Sequence, residues 1–182
     1  MPDRSSILTS IIVKERFTKV YNEYADSIFR FCVLKVSDRE TAIDLSHDIF
    51  VKYWDSLSSG TEVKSDKAFL FTITRNTIID WYRKKKTISI EALSLGEDET
   101  FESNLTSDDA EEILHLGPET RFVLDKFKEL SETSQEVLYL RFVEGLGPKK
   151  IAETLKINVS AVSVRLHRGI LELRKITGYE IK

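Results

Sequence analysis

Cysteine, histidine, proline and glycine are all scarce in this chain, and each shortage closes off a class of protein. One cysteine, Cys32, among 182 residues excludes an internal disulfide and any zinc site built on cysteine. Cys32 sits in an apolar helical run and is expected in a core. The three histidines, His47, His115 and His167, lie in separate segments without metal-ligand spacing, so neither a metal nor a cofactor is expected. Seven glycines and three prolines form no phosphate-binding loop. Long apolar runs are missing too. Ile7 to Val13 is interrupted by Thr9-Ser10 and followed by Lys14-Glu15-Arg16, too short to span a bilayer and without a small-residue cleavage site. No direct membrane insertion is expected, and the cytoplasm is the default location. Strand patterns are absent, which leaves an all-α chain.

What is present suits a folded protein: 41% hydrophobic and 31% charged residues. The net charge of −3 hides an uneven division. Residues 87–120 hold ten acids (Glu91, Glu97, Asp98, Glu99, Glu102, Asp108, Asp109, Glu111, Glu112 and Glu119) and no Lys or Arg. Setting those ten aside leaves 27 bases against 20 acids, a balance of +7. Two mildly basic blocks flank one acidic segment, so the whole-chain charge is a poor guide to partners.

Helical periodicity marks the first block. Residues 14–36 set Phe17, Val20, Tyr21, Tyr24, Ile28, Phe31 and Cys32 at helical spacing. Ser37-Asp38-Arg39-Glu40 is a capping box that starts a second helix at about 38. It carries Ala42, Leu45, Ile49, Phe50, Tyr53, Trp54 and Leu57 and stops at Ser58-Ser59-Gly60. Ser65 or Asp66 caps a third helix with Ala68, Phe69, Leu70, Ile73, Ile78, Ile79 and Tyr82. That helix is expected to close on Arg83-Lys84-Lys85-Lys86, cations that suit a helix C-terminus. Residues 87–107 lose periodicity and gather acid, Ser and Thr, the composition of a linker. Ser107 is expected to cap a short helix, Asp108 to Leu116, followed by one from about Glu119 to Leu130 with Phe122, Val123, Phe127 and Leu130 inward. A second capping box, Thr133-Ser134-Gln135-Glu136, opens a helix with Val137, Leu138, Leu140, Arg141 and Phe142 that stops at Glu144-Gly145. The expected organisation is two small helical domains, 1–86 and 119–182, joined by an acidic flexible linker, 87–118.

Two stretches carry chemistry. Gly147 to Arg174 reads as a short helix, a tight turn at Lys156-Ile157-Asn158 and a longer helix. Pro148 suits a first helical position, and Asn158 suits a helix N-cap. Ile151, Ala152 and Leu155 form one apolar face; Ala161, Val162, Leu166, Ile170 and Leu173 form the next. Ser163, Arg165, His167, Arg168 and Arg174 face elsewhere, the pattern of a DNA-binding helix-turn-helix rather than only a hairpin with a solvated basic face. The other stretch, Phe69 to Lys86, mingles Arg75, Asn76, Trp81 and Tyr82 with a basic cluster. Single-stranded nucleic acid calls for that pairing, cations for phosphates and rings for unstacked bases. An aromatic core with a solvated lysine run is the plainer alternative.

Three motifs in order, Asp44-Leu45-Ser46-His47-Asp48-Ile49-Phe50, Phe69–Lys86 and Ile151-Ala152 through Arg174, resemble bacterial RNA polymerase sigma factors of the extracytoplasmic-function group. The resemblance spans about residues 14–176. It implies a sigma region 2-like bundle and a sigma region 4-like helix-turn-helix. The second helix would dock on the clamp of the polymerase's largest subunit through Asp44, His47, Asp48, Phe50, Tyr53 and Trp54. The loop Ser58–Lys64, with Ser59, Gly60 and Thr61, and the third helix, with Arg75, Asn76, Asp80, Trp81, Tyr82, Arg83, Lys84 and Lys85, would recognise and melt the −10 promoter element. The helix-turn-helix would read the −35 element through Ser160, Ser163, Arg165, His167 and Arg168, with Lys149 and Lys150 on phosphates. Implied partners are core RNA polymerase (that clamp and the flap of the second-largest subunit), promoter DNA, and an anti-sigma protein, often membrane-bound, that no residue here identifies. The free protein is expected to be a monomer. The chain departs from the group's pattern at His47, usually glutamine, at Lys149-Lys150, usually acidic, and at Ser163 and Ile170, usually basic. Those changes imply a −35 sequence other than the group's common one.

The linker then joins two DNA grips. Some thirty residues of flexible coil span roughly 30 Å on average. Its acids would suit a groove lined with cations, or serve only as a solvated spacer. The expected function is a promoter-specificity subunit that catalyses nothing itself. The alternative is a helix-turn-helix regulator that is not a polymerase subunit, which would need no aromatic–basic melting helix. An enzyme acting on DNA would need a nucleophile or a carboxylate cluster for metal, and the acids outside the linker are scattered.

Overall fold

A computed structural model describes residues 4–36, 38–94 and 125–178, with side chains over 10–36, 38–86 and 125–178. Among the described residues every regular element is a helix, as expected. Contacts divide the chain into two compact units, Met1–Ala110 and Glu111–Lys182.

In the first unit α1 (Arg4–Val36), α2 (Arg39–Ser58) and α3 (Asp66–Ser94) each pack on the other two. The apolar stripes meet in one core: Val20, Ile28, Phe31 and Cys32 from α1; Ala42, Leu45, Ile49 and Leu57 from α2; Leu70, Phe71 and Ile78 from α3. Each large side chain buried this way stabilises by about 1.5–3 kcal/mol. Thr74 is buried among them and donates its hydroxyl to the Leu70 carbonyl at 2.9 Å, so it leaves no polar group unsatisfied. Cys32 is wholly buried, and burial pushes its thiol up to about 12.

The helix ends differ from the sequence expectation in three places. α1 starts at Arg4, ahead of its apolar stripe, and Ile11 and Ile12 lie exposed on that extension. The N-cap of α2 is Asp38 rather than Ser37: its carboxylate accepts the Thr41 N–H at 2.7 Å, and the Thr41 hydroxyl together with that N–H holds its pKa below the usual carboxylate value. α3 runs on to Ser94 instead of closing at Lys86, because no Gly or Pro stands in its way before Gly96. The expected helix from Asp108 to Leu116 lies outside the described residues, as do Phe122 and Val123.

The second unit holds a helical turn at 125–128, α4 (Glu132–Leu138), a π turn (Tyr139–Val143), α5 (Pro148–Leu155) and α6 (Val159–Thr177). α4 and α5 both pack on α6 around Leu130, Val137, Leu138, Ile151, Leu155 and Val162. α4 begins at Glu132 with Ser131 as N-cap, not at Thr133. With Ser131 as the cap, Thr133 lies inside the first turn and has no cap to make, while the Ser134 hydroxyl donates to the Glu172 carboxylate on α6 at 2.7 Å. In the π turn the Glu144 N–H reaches back to the Tyr139 carbonyl at 3.0 Å. The wider turn swings Phe142 outward, 66% exposed, although it sat in the apolar set of the expected helix.

Candidate nucleic-acid and docking surfaces

α5 and α6 form the helix-turn-helix from local chemistry. Pro148 sits in the first turn of α5 behind Gly147, and Lys156 ends that helix in the left-handed conformation, φ 54°. Asn158, extended at φ −79° and ψ 158°, accepts the Ala161 N–H on its side-chain oxygen at 2.6 Å and starts α6. Ile151, Ala152 and Leu155 are buried as the pattern required. On α6 the buried positions are Val162 and Gly169, while Ala161, Leu166, Ile170 and Leu173 are half-buried. Ser160, Ser163, Val164, His167 and Arg168 share one exposed face, i, i+3/i+4 and i+7/i+8 apart. Arg165 is half-buried beside that face rather than on its crest. Lys149 is exposed, and Lys150 pairs with Glu153 one turn on at 2.9 Å.

Gly169 drew no notice in the sequence. A Cβ there would stand 3.1 Å from the Leu138 Cδ1 and 3.2 Å from the Ser134 Cβ, so α4 and α6 meet at this point. Glu172, one turn on, accepts the Ser131 N–H at 3.0 Å and the Ser134 hydroxyl at 2.7 Å. These bonds hold its pKa below the ordinary value, the Ser134 hydroxyl contributing most.

In the first unit the loop candidates Ser59, Gly60 and Thr61 are all exposed. Gly60 has φ +78°, a conformation that suits glycine, and the Thr61 N–H reaches the Ser56 carbonyl at 3.0 Å. On α3, Asn76 and Lys84 are exposed and Arg75 is half-buried. Arg83 pairs with Asp80 at 3.1 Å. The Trp81 and Tyr82 rings meet at 4.9 Å, and the Lys85 ammonium lies 4.7 Å above the Trp81 ring. Tyr82 is 43% exposed and donates its hydroxyl to the Lys35 carbonyl at the end of α1. Rings and cations thus gather at one place, the arrangement that the aromatic–basic pattern suggested.

On α2, Asp44, His47 and Asp48 are exposed at i, i+3 and i+4, one continuous face. Phe50 and Tyr53 are largely taken up by the core. Phe50 is 5% exposed with its ring 4.8 Å from Tyr21, and Tyr53 is 0% exposed. Trp54 is half-buried and meets Phe17 edge-on at 5.2 Å. Aromatics at helical spacing serve a core or a docking face equally well, and here the core takes them. An open groove of about 260 Å³ lies beside His47, lined by Tyr21, Ala25, Phe29, Ile43 and Phe50.

One cluster could not be found by spacing. The Arg16 guanidinium donates through Nη2 to the Asp66 carboxylate at 2.7 Å and to the Val63 carbonyl at 2.9 Å. Its Nε lies 3.0 Å and 3.2 Å from the two Asp66 oxygens. The Tyr53 hydroxyl donates to the same carboxylate at 2.8 Å. Among the described residues no group of His, Cys, Asp and Glu could hold a metal ion. None of the helices there is long and apolar enough to cross a membrane.

Comparison with known proteins follows the same division. Residues 20–88 match the family described as sigma-70 region 2, and residues 123–173 match that described as sigma-70, region 4. The RNA polymerase sigma factor YlaC of Bacillus subtilis is 31% identical over 162 residues, covering 89% of this chain and 92% of that protein. The ECF RNA polymerase sigma factor SigX of the same organism is 25% identical over 90% of this chain and 84% of its own length. Among solved structures, the sigma factor RpoE of Bartonella quintana, crystallised with the anti-sigma factor NepR, matches with a TM-score of 0.72 at 19% identity. That likeness, one of fold, covers 92% of this chain and 99% of the other.

Proposed function

The chain belongs to the sigma-70 family of RNA polymerase sigma factors, in its extracytoplasmic-function group, and on that premise we propose how its two units divide the work. It binds core RNA polymerase, directs it to particular promoters and opens the DNA for initiation. It is an initiation factor, not the catalyst. Its place of work is the cytoplasm, where the polymerase meets the chromosome. A cytosolic or membrane-bound anti-sigma protein holds it inactive until a signal arrives.

The second unit anchors on the −35 element. Ser160, Ser163, His167 and Arg168 face base edges, Arg165 reaches the groove wall, and Lys149 and Lys150 meet phosphates. The first unit opens the −10 element. Its loop, Ser59 to Thr61, captures an unstacked base, while Trp81 and Tyr82 stack and Arg75, Asn76, Arg83, Lys84 and Lys85 hold the strand. Asp44, His47 and Asp48 form the face that docks on the polymerase clamp, and Phe50, Tyr53 and Trp54 brace α2 behind it. The observation that carries the reading is the gathering of Trp81, Tyr82 and Lys85 at one place along α3, in a chain that also holds a capped helix-turn-helix. A regulator that only binds duplex DNA has no use for the first of these.

The test is transcription in a purified system. Core polymerase mixed with this chain is expected to give transcripts starting at defined promoters, and Asp48→Arg is expected to abolish both co-purification with core and those transcripts. A folded chain that leaves core polymerase unable to initiate, or an Asp48→Arg variant that still co-purifies, overturns the corresponding assignment.

A further inference from the structure

We propose that Arg16 is a positioning residue for promoter opening: it fixes the loop before α3 at the height at which that loop captures a base. This rests on the reading of Ser59–Lys64 as the −10 loop and adds to it a residue from a distant part of the chain. The loop is pinned at both ends. At its start, Gly60 and Thr61 close the C-terminus of α2 through N–H bonds to the carbonyls of Leu57 and Ser56, at 3.1 Å and 3.0 Å. At its far end one guanidinium joins the loop backbone to α3. Arg16 bonds the Val63 carbonyl and the Asp66 carboxylate at once, and Asp66 is the first residue of α3. Along this loop the side chains of Thr61, Glu62 and Lys64 are exposed and face outward to meet DNA.

The geometry favours this role over a simple ion pair. An exposed Arg–Asp pair is worth little, because water competes for both partners. Here Asp66 also accepts from the Tyr53 hydroxyl, whose ring is wholly buried, so the carboxylate has a fixed orientation before Arg16 arrives. Burial and the neighbouring Asp66 carboxylate both push the Tyr53 pKa up, which keeps the hydroxyl a donor. The fork of the guanidinium then spans from carboxylate to backbone carbonyl, a task that a lysine's point charge cannot do in one geometry. The carboxylate also sits at the positive end of the α3 dipole, which steadies it further. α1, α2, the loop and α3 are thereby joined at one point.

The measurement is the ratio of open-complex formation on a promoter with its preferred −10 element to that on promoters altered at one −10 position. Arg16→Ala is expected to lower that discrimination roughly tenfold, about the effect of losing one charge-assisted hydrogen bond, while core binding and −35 protection stay at wild-type levels. Arg16→Lys, which keeps the charge and loses the fork, is expected to fall between, and Tyr53→Phe to show a smaller loss. A merely structural role would lower initiation on all these promoters by one factor and leave the ratio unchanged. Such a result overturns the proposal, and if Arg16→Ala does not fold, Arg16→Lys decides it on the same ratio. Thr61→Ala separates the two layers. If it leaves discrimination untouched, the loop is not the −10 reader and the inference falls with that reading. If Thr61→Ala impairs discrimination and the Arg16 variants do not, the inference alone is wrong.

Discussion

Gly169 carries no side chain where α6 packs on α4, and the space beyond its Cα is already filled by Leu138 and Ser134. Gly169→Ala would gain about 1 kcal/mol of helix propensity but overpack the crossing by about 1–3 kcal/mol. We expect a net loss of about 1 kcal/mol, read as a lower urea midpoint; an unchanged or raised midpoint would show that Leu138 gives way freely. Glu172 locks the same crossing by accepting from Ser131 and Ser134. Its folded-state pKa is lowered, so its contribution is fully present above the ordinary carboxylate value, about 4.3, and is lost as pH falls through the lowered one. Wild type is therefore expected to be more stable than Glu172→Gln at neutral pH, with the gap closing in the acid range below pH about 4. A gap that stays constant down through that range would mean the charge of Glu172 contributes nothing.

At the scale of the element, the turn of the helix-turn-helix is held by two caps of unequal quality. Asn158 is well suited to starting α6, whereas Lys156 ends α5 in a left-handed conformation that costs an ordinary residue about 1–2 kcal/mol. Lys156→Gly removes that strain at some cost in chain entropy, and a gain of up to about 1 kcal/mol in denaturant unfolding is expected. A loss of stability would place the lysine side chain in a stabilising role of its own. Elements were legible in the sequence wherever signals are local. The stripes of α1 to α3, the Gly147-Pro148 start, the Asn158 cap and the Gly145 stop all depend on residues within a turn of one another. The π turn was not legible, since no residue pattern in Tyr139–Val143 announces an extra residue, and Phe142 was misjudged with it. The first turn of α4 is capped two residues earlier than Thr133 implied, at Ser131, whose N–H is held by the Glu172 carboxylate far along the chain. The same limit hid the pairing of Arg16 with Asp66. The burial of Phe50 and Tyr53 was not legible for another reason: periodicity gives the face of a helix, not what lies against it, so both looked alike for a core or a partner.

At the scale of the whole molecule, charge is distributed against the net figure. Residues 87–120 hold ten acids and no Lys or Arg, while the remainder of the chain carries a balance of +7. Those acids are expected to lower nonspecific attraction to duplex DNA, because like charge repels the phosphates. A chain with those acids changed to Ser and Gln is expected to bind random duplex more tightly, with a steeper salt dependence, and to alter promoter escape. Unchanged escape and start-site use would reject any role for the acids in a polymerase channel.

The buried position of Cys32 has a practical corollary. Burial pushes its thiol up, so the thiolate is scarce at pH 7, and the sulfur is enclosed besides. The folded protein should therefore ignore maleimide reagents, and one equivalent should react once urea unfolds it. Rapid labelling of the native protein would show that the α1–α2–α3 core opens. If labelling is silent, the wild-type chain is already a blank background for fluorophores. A cysteine substituted at Ser59 or Ser163 would then accept a single dye, and engagement with the two halves of a promoter could be timed separately in one reaction.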